Sequence, residues 1–429
     1  PVSESNITNP VQSTRQLLRV GPVRNLLGSS VFTSSGIMLQ ATVLGKQVYD
    51  ITGRELDIGL LGLAEFLPAA LLVLVTGSVA DRFNRKIIGS IAIAGELLCS
   101  VLLGLYALSG PTAVWPLFVI AVLFGTFRAF AAPSVRSLPP MVAPDGALPR
   151  TIALYSATWT SAAIIGPASG GLIYASSPAL AYFVSAVLIG AGVAFLLAVK
   201  IARPFLKDQP KDPAEKVSLH TALAGLRFIR KTPILLAAIS LDLFAVLFGG
   251  AVALLPAIAE DRLHVGDVAY GWLRAAPGIG AAIMAVILAS RPVTRRVGRT
   301  LLFVVGLFGI ATVVLGVTTS YFVAFVALVI LAGADMISVY IRGTLVPLVT
   351  PDDKRGRVMA VENVFIGASN ELGAFESGVA AQAFGTQTAV IGGGIATLGV
   401  VAMYSVFFPT LRNVDRFEDL EGHGDEIRH

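Results

Sequence analysis

Twelve times along the chain a run of about twenty apolar residues is closed off by a short polar break. A run of that length crosses a bilayer as a helix, because ~20 residues at ~1.5 Å rise cover a hydrocarbon core of ~30 Å. The predicted spans are 25–48, 58–80, 86–108, 113–136, 151–175, 179–200, 233–257, 268–290, 300–318, 322–342, 357–383 and 387–408. The pattern therefore predicts an all-α polytopic membrane protein. Several breaks, such as 109–111 and 176–178, leave room for only a tight turn.

Composition agrees with the pattern, since 55% of the 429 residues are hydrophobic and only 14% charged. The net charge of +5 suggests a nucleic-acid partner until it is located. Of the 32 Lys and Arg, Arg54 and Arg262 fall on one side of the membrane, and Lys46, Arg128 and Arg274 fall inside spans. The rest fall on the other side, the asymmetry that marks a cytoplasmic face, so the charge reports topology and no nucleic acid is implied. An even number of spans puts both termini there. Cys99 is the only cysteine, which excludes an intrachain disulfide and a thiolate zinc cluster. Arg15, Arg19 and Arg24 precede the first span without the apolar core of a cleaved leader, so that span is expected to direct insertion.

Between spans 6 and 7 the composition turns polar, with Lys207, Asp208, Pro210, Lys211, Asp212 and Pro213. Ser218 can then cap a helix whose Leu219, Ala222, Leu223 and Leu226 share one face, with Arg227, Arg230 and Lys231 placed for phosphate headgroups. The chain divides into an N-terminal segment 1–24, a six-helix bundle 25–200, a linker with an amphipathic helix 201–232, a second bundle 233–408 and a tail 409–429. A repeat supports the division. Ser137-Leu-Pro-Pro-Met-Val-Ala-Pro-Asp returns as Thr344-Leu-Val-Pro-Leu-Val-Thr-Pro-Asp, 207 positions on, and the same offset carries Arg150 onto Arg357, Gly166 onto Gly373 and Gly171 onto Gly378. Two parallel repeats about a shared hollow are the plan of rocker-switch transporters.

The loop between spans 2 and 3 reads Gly77-Ser-Val-Ala-Asp81-Arg82-Phe-Asn84-Arg85-Lys86 and resembles the signature loop of the major facilitator superfamily. Asn84 stands where the superfamily usually has Gly, and as Asn it can adopt the positive φ of a turn. The resemblance implies the major facilitator fold, twelve transmembrane helices in two pseudo-symmetric six-helix bundles. It also implies a cytoplasmic gate of Gly77, Asp81, Arg82 and Arg85, with Asp81 set against the start of span 11, where unpaired N–H groups attract an acid. Tyr49-Asp-Ile-Thr-Gly, Arg355-Gly-Arg-Val-Met-Ala-Val and Ser369-Asn-Glu-Leu-Gly-Ala-Phe-Glu-Ser-Gly look most like the enterobactin-exporter branch, which implies efflux of a siderophore or another amphipathic molecule. Gly166, Pro167, Gly170 and Gly171 in span 5 are similar to a motif of proton-antiporting drug exporters, where small residues let helices approach and Pro bends one.

Charges inside spans are costly and mark function. The acids are Glu65, Glu96, Asp242, Asp335, Glu362, Glu371 and Glu376, and the bases are Lys46, Arg128 and Arg274. Arg128 and Asp335 are 207 apart and could form a charge couple across the pseudo-twofold axis, or be satisfied separately. On span 11, Asn363, Asn370 and Ser377 recur every seven residues as a polar stripe with Glu371 at its border. Glu376 lies ~140° from Glu371, so the two acids serve different points, with Glu371 the favoured proton or substrate group. The four His fall outside the spans and no GxxxxGK[ST] is present, which argues against a membrane enzyme, a metal site or ATP as fuel. The expectation is a monomeric secondary exporter of a small amphipathic molecule, driven by a proton gradient and needing no cofactor. A proton-independent facilitator or importer is the alternative.

Overall fold

A computed structural model describes residues 13–201 and 219–420, omitting the side chains at 73–74, 77–78, 80–82, 219–223 and 352–353. The Ser218 cap, nearly all of the polar linker and the side chains of Asp81 and Arg82 thus lie outside the described residues. Twelve long helices follow the predicted spans: α1 Gly21–Thr52, α2 Glu55–Arg82, α3 Arg85–Leu108, α4 Trp115–Arg136, α5 Leu148–Tyr174 and α6 Pro178–Leu197. The second set is α7 Pro233–Phe248, α8 Asp267–Ser290, α9 Val297–Val317, α10 Tyr321–Val349, α11 Asp352–Phe384 and α12 Thr386–Phe407. Counted on described residues, nine of the helices, α7 with its continuation among them, are long and apolar enough to cross a membrane. The antiparallel order places the Arg- and Lys-rich loops on one face, here the basic face, and the short loops on the opposite face.

Local chemistry sets the helix ends. Gly53 takes a left-handed conformation at φ 59° and stops α1. Asn84 does not take the positive φ expected of it. It is extended at φ −64°, and its side chain accepts from the N–H groups of Lys86 and Ile87, so it caps α3. Lys86 closes the end of α6: its Nζ donates to the carbonyls of Leu197 and Val199 at 2.7 Å.

The two bundles pack alike. In the first, α1 lies against α5 and α6, and α3 against α4 and α6; in the second, α7 lies against α11 and α12, and α9 against α10 and α12. The 207-residue register holds in these contacts. Gly166 presses α5 onto α1 at Met38, and Gly373 presses α11 onto α7 at Val246. Two helix pairs join the bundles, α5 with α8 and α11 with α2. They cross at glycines: a methyl group built on Gly171 would come 2.6 Å from the Gly271 Cα, and one on Gly378 would come 3.1 Å from the Gly59 Cα. Only residues without a Cβ permit that approach.

Two elements depart from the sequence reading. α10 continues to Val349, seven residues past its predicted end, so Arg342 lies inside the helix. The first repeat breaks at the equivalent place, where paired Pro139-Pro140 open a separate short helix, Pro139–Val142. The second repeat has Pro347 alone and stays helical. α7 also stops early, at Gly249-Gly250, and resumes as a 3-10 turn Gly250–Val252 and a π turn Ile258–Arg262. The amphipathic helix Leu219–Lys231 buries Phe228 and Ile229 in the second bundle's core and sets Gly225 against the Arg357 carbonyl of α11. Of its predicted apolar face only Leu226 has a described side chain, which packs on that core, while Arg227, Arg230 and Lys231 are exposed.

Candidate substrate and coupling sites

Among the described residues, three clusters of charged side chains involve the long helices or the links between bundles. The first is the seam between bundles. Glu65 of α2 lies within electrostatic reach of Arg128 of α4, Arg274 of α8 and Glu371 of α11. Close packing holds them there. α4 has Gly125 one turn from Arg128, and a methyl group on it would lie 2.1 Å from the Glu65 carbonyl. Across the seam, the Glu371 carboxylate stands 3.0 Å from where a Gly62 methyl would sit. Arg274 Nη1 donates to the Val252 carbonyl at 3.0 Å, a group freed by the break in α7. Two acids and two bases, one of each from either bundle, thus share one seam.

Asp335 does not meet Arg128. It faces the interior of the second bundle, on a cavity of about 10 Å³ lined by Asp242, Val304, Phe308 and Ser338. There Arg342 Nη2 bonds Asp242 Oδ1 at 2.7 Å, with Glu362 Oε1 3.8 Å from Nη1. Arg342 is 3% exposed. This second cluster joins α7, α10 and α11. By sequence Arg342 is the last residue of span 10 and counts with the basic face, not among the intramembrane bases.

The third cluster closes the opposite face. Lys46 of α1 is buried and bonds Asp50, Glu260 Oε2 at 2.9 Å and, at 3.6 Å, Asp267 Oδ1. The Tyr49 hydroxyl donates to Asp261, and Thr386 donates to Glu55 at 2.8 Å. Glu260 and Asp261 sit on the π turn that follows α7. Their role was missed, although the sequence marks the loops after spans 1 and 7 as the charged ones on that side.

The remaining predicted residues are scattered. Asn370 is exposed and bonds its own helix at the Ile366 carbonyl. Ser377 is buried against Gly250, so the seven-residue stripe is not one solvent-facing strip. Glu376 stands beside Ser377, apart from the seam cluster. Gly166, Pro167, Gly170 and Gly171 are all buried: Gly166 and Gly170 face α1, and Gly171 faces α8. At the basic face Arg85 is half-buried and engaged, and Gly77 sits near the end of α2.

Two bundles of six helices, repeated in register and meeting at a charged seam, define a transporter of the major facilitator fold and not an enzyme. The transmembrane secretion effector family model matches residues 13–425, and the chain belongs to that family. It is 28% identical to the uncharacterized MFS-type transporter YfiS of Bacillus subtilis, covering 85% of this chain and 88% of that one. It is 26% identical to the multidrug efflux pump Tap of Mycolicibacterium fortuitum, over 92% and 97%. Among solved structures, a bacterial homologue of the human lysosomal transporter Spinster, inward-facing and unoccupied, superposes with TM-score 0.68 at 16% identity, covering 92% of this chain and 97% of that one. A nucleoside transporter, NupG, superposes with TM-score 0.70 at 12% identity, over 90% and 100%. These structures share the fold.

Proposed function

We propose that the chain is a secondary exporter that expels a small amphipathic molecule by alternating access, in exchange for an inward proton. The observation that carries the reading is the seam cluster, where Glu65 and Arg128 of one bundle lie within electrostatic reach of Arg274 and Glu371 of the other. A ligand bound there touches both moving parts, so its binding energy can differ between the two openings, which is what alternating access requires. The similarity to Tap supports a drug-like cargo, as does a macrolide efflux protein of Streptococcus pyogenes, 25% identical over 47% of this chain and 49% of that one. The basic face is the cytoplasmic one in this reading, the membrane a bacterial inner membrane, and the transporter a monomer. The Gly77–Arg85 loop gates that face. By sequence the spans hold seven acids and three bases. Arg342 brings the bases to four and still leaves an acidic excess, which favours cationic cargo over an anionic siderophore.

Transport by purified protein in liposomes tests this. A panel of lipophilic cations, a macrolide and siderophores is loaded, with and without an imposed pH gradient. Uphill expulsion of a cation only when the gradient is present is expected. Flux that ignores the gradient would leave a facilitator, and expulsion of siderophores alone would return the cargo to the enterobactin-exporter type.

A further inference from the structure

The cluster inside the second bundle holds three carboxylates, Asp242, Asp335 and Glu362, around one guanidinium, that of Arg342. Arg342 is spoken for: it bonds Asp242 at 2.7 Å and reaches Glu362 only at 3.8 Å. Asp335, two turns along α10 from Arg342, has neither an ion pair nor a hydrogen-bonding partner among the described residues. It opens instead on the cavity it shares with Asp242, a space about right for one water. The third wall of that cavity comes from α9 and is apolar, with Val304, Val305 and Phe308. Glu362 approaches from α11, and from α12 comes Tyr404, whose hydroxyl donates to Ser240 of α7 at 2.7 Å. With all three acids ionised the cluster would carry two uncompensated negative charges in a space with one cation. An intramembrane site does not sustain that, and the simplest neutralising ligand small enough for the cavity is a proton.

We infer that the transported proton binds in this cluster, at Asp335 and Asp242 with Arg342 as their counter-charge, and not at the seam where the cargo binds. The inference rests on the antiport reading above. The transfer balances simply. A proton on the Asp335 carboxylic acid passes through a water in the cavity to the Asp242 carboxylate, leaving Asp335 ionised and Asp242 neutral. Asp242 then releases Arg342, whose free N–H groups close the 3.8 Å gap to Glu362. Glu362 is on α11, the helix that carries Glu371 to the seam and crosses α2 at Gly378. Protonation is thereby felt as a pull on a seam helix, which couples two sites that share no ligand atom. Arg342 acts as a positioning residue throughout.

Two measurements on the full chain in liposomes test the inference. Infrared difference spectra across a pH titration should show a protonated-carboxyl band that disappears in Asp335→Asn, titrates at a different pH in Asp335→Glu and in Arg342→Lys, and is unmoved in Glu371→Gln. The second measurement is efflux of a lipophilic cation such as ethidium. Asp335→Asn should lose at least about tenfold of the gradient-driven rate while still letting the cation equilibrate down its own gradient. A band that survives Asp335→Asn, or that Glu371→Gln removes, overturns the assignment, as does gradient-driven efflux that survives Asp335→Asn. Wild-type efflux indifferent to the gradient fells the antiport reading itself, and the coupling role with it.

Discussion

Lys46 Nζ lies 2.9 Å from Glu260 Oε2, and that contact joins the first helix of one bundle to the π turn after the first helix of the other. A π turn offsets the side chains that follow it by one place relative to an α-helix. Here it delivers Glu260 to Lys46 and Asp261 to Tyr49 together. Without Lys46, Asp50, Glu260 and Asp267 would face one another with no cation between them. Lys46→Gln is therefore expected to open the opposite face. Glu260 is half exposed, so the shift should be modest, about 1 kcal/mol or a factor of roughly five in population. Spin labels on cysteines placed at Ser176 and Thr319 would report it as a longer inter-bundle distance; an unchanged distance would show the lysine to be idle.

The glycine crossings give an ordered prediction. A Cβ on Gly171 would stand 2.4 Å from the Asp267 carbonyl, whereas one on Gly378 would stand 2.9 Å from the Glu55 carbonyl. Both force backbone apart, and overpacking of this kind costs about 1–3 kcal/mol. Gly171→Ala should weaken closure more than Gly378→Ala, both slowing transport. Gly392→Ala, with open space around it, should leave transport as it is. Initial efflux rates across the three variants settle the order.

Much of this was legible beforehand, for a physical reason. Bilayer thickness fixes span length, so apolar run length alone gave eight of the twelve helices to within three residues at each end. The 207-residue register foretold that Gly171 and Gly378 would do matching work. What stayed hidden depended on where helices end and on what lies across from them. Arg342 read as the basic end of its span, as its repeat partner, Val135, stands one residue from the end of α4. The single Pro347 where the first repeat has Pro139-Pro140 was the available signal. The partners of Asp335 were hidden for another reason: equivalence under a repeat places two residues at matching depth but says nothing about which way either faces.

Arg342 supplies a stability prediction. Removing one partner of a buried ion pair strands the other, at a cost of about 3–5 kcal/mol, whereas replacing both by neutral groups can cost little. Arg342→Met should lower the melting temperature of the detergent-solubilised protein strongly. The double variant Asp242→Asn with Arg342→Met should recover most of that loss. A double variant as unstable as the single one would mean that the guanidinium's link to Glu362, and not the bond to Asp242, holds the bundle.

Gly62 offers a way to disturb the seam without unfolding it. A methyl group there would come 3.0 Å from Glu371 Oε2 and 3.7 Å from the Ala374 Cβ, with no backbone atom nearby. The atom that must yield is the tip of a flexible side chain, so Gly62→Ala should cost the fold almost nothing. A small helix-propensity gain of about 1 kcal/mol would accompany it. The displaced carboxylate, however, is the one that faces Arg128 and Arg274. If cargo binds among these charges, Gly62→Ala should raise KM for a lipophilic cation several-fold with the melting temperature held or raised. Glu371→Gln should raise KM further in the same direction. A KM unmoved in both variants, with transport intact, would take the cargo site away from the α2–α11 seam.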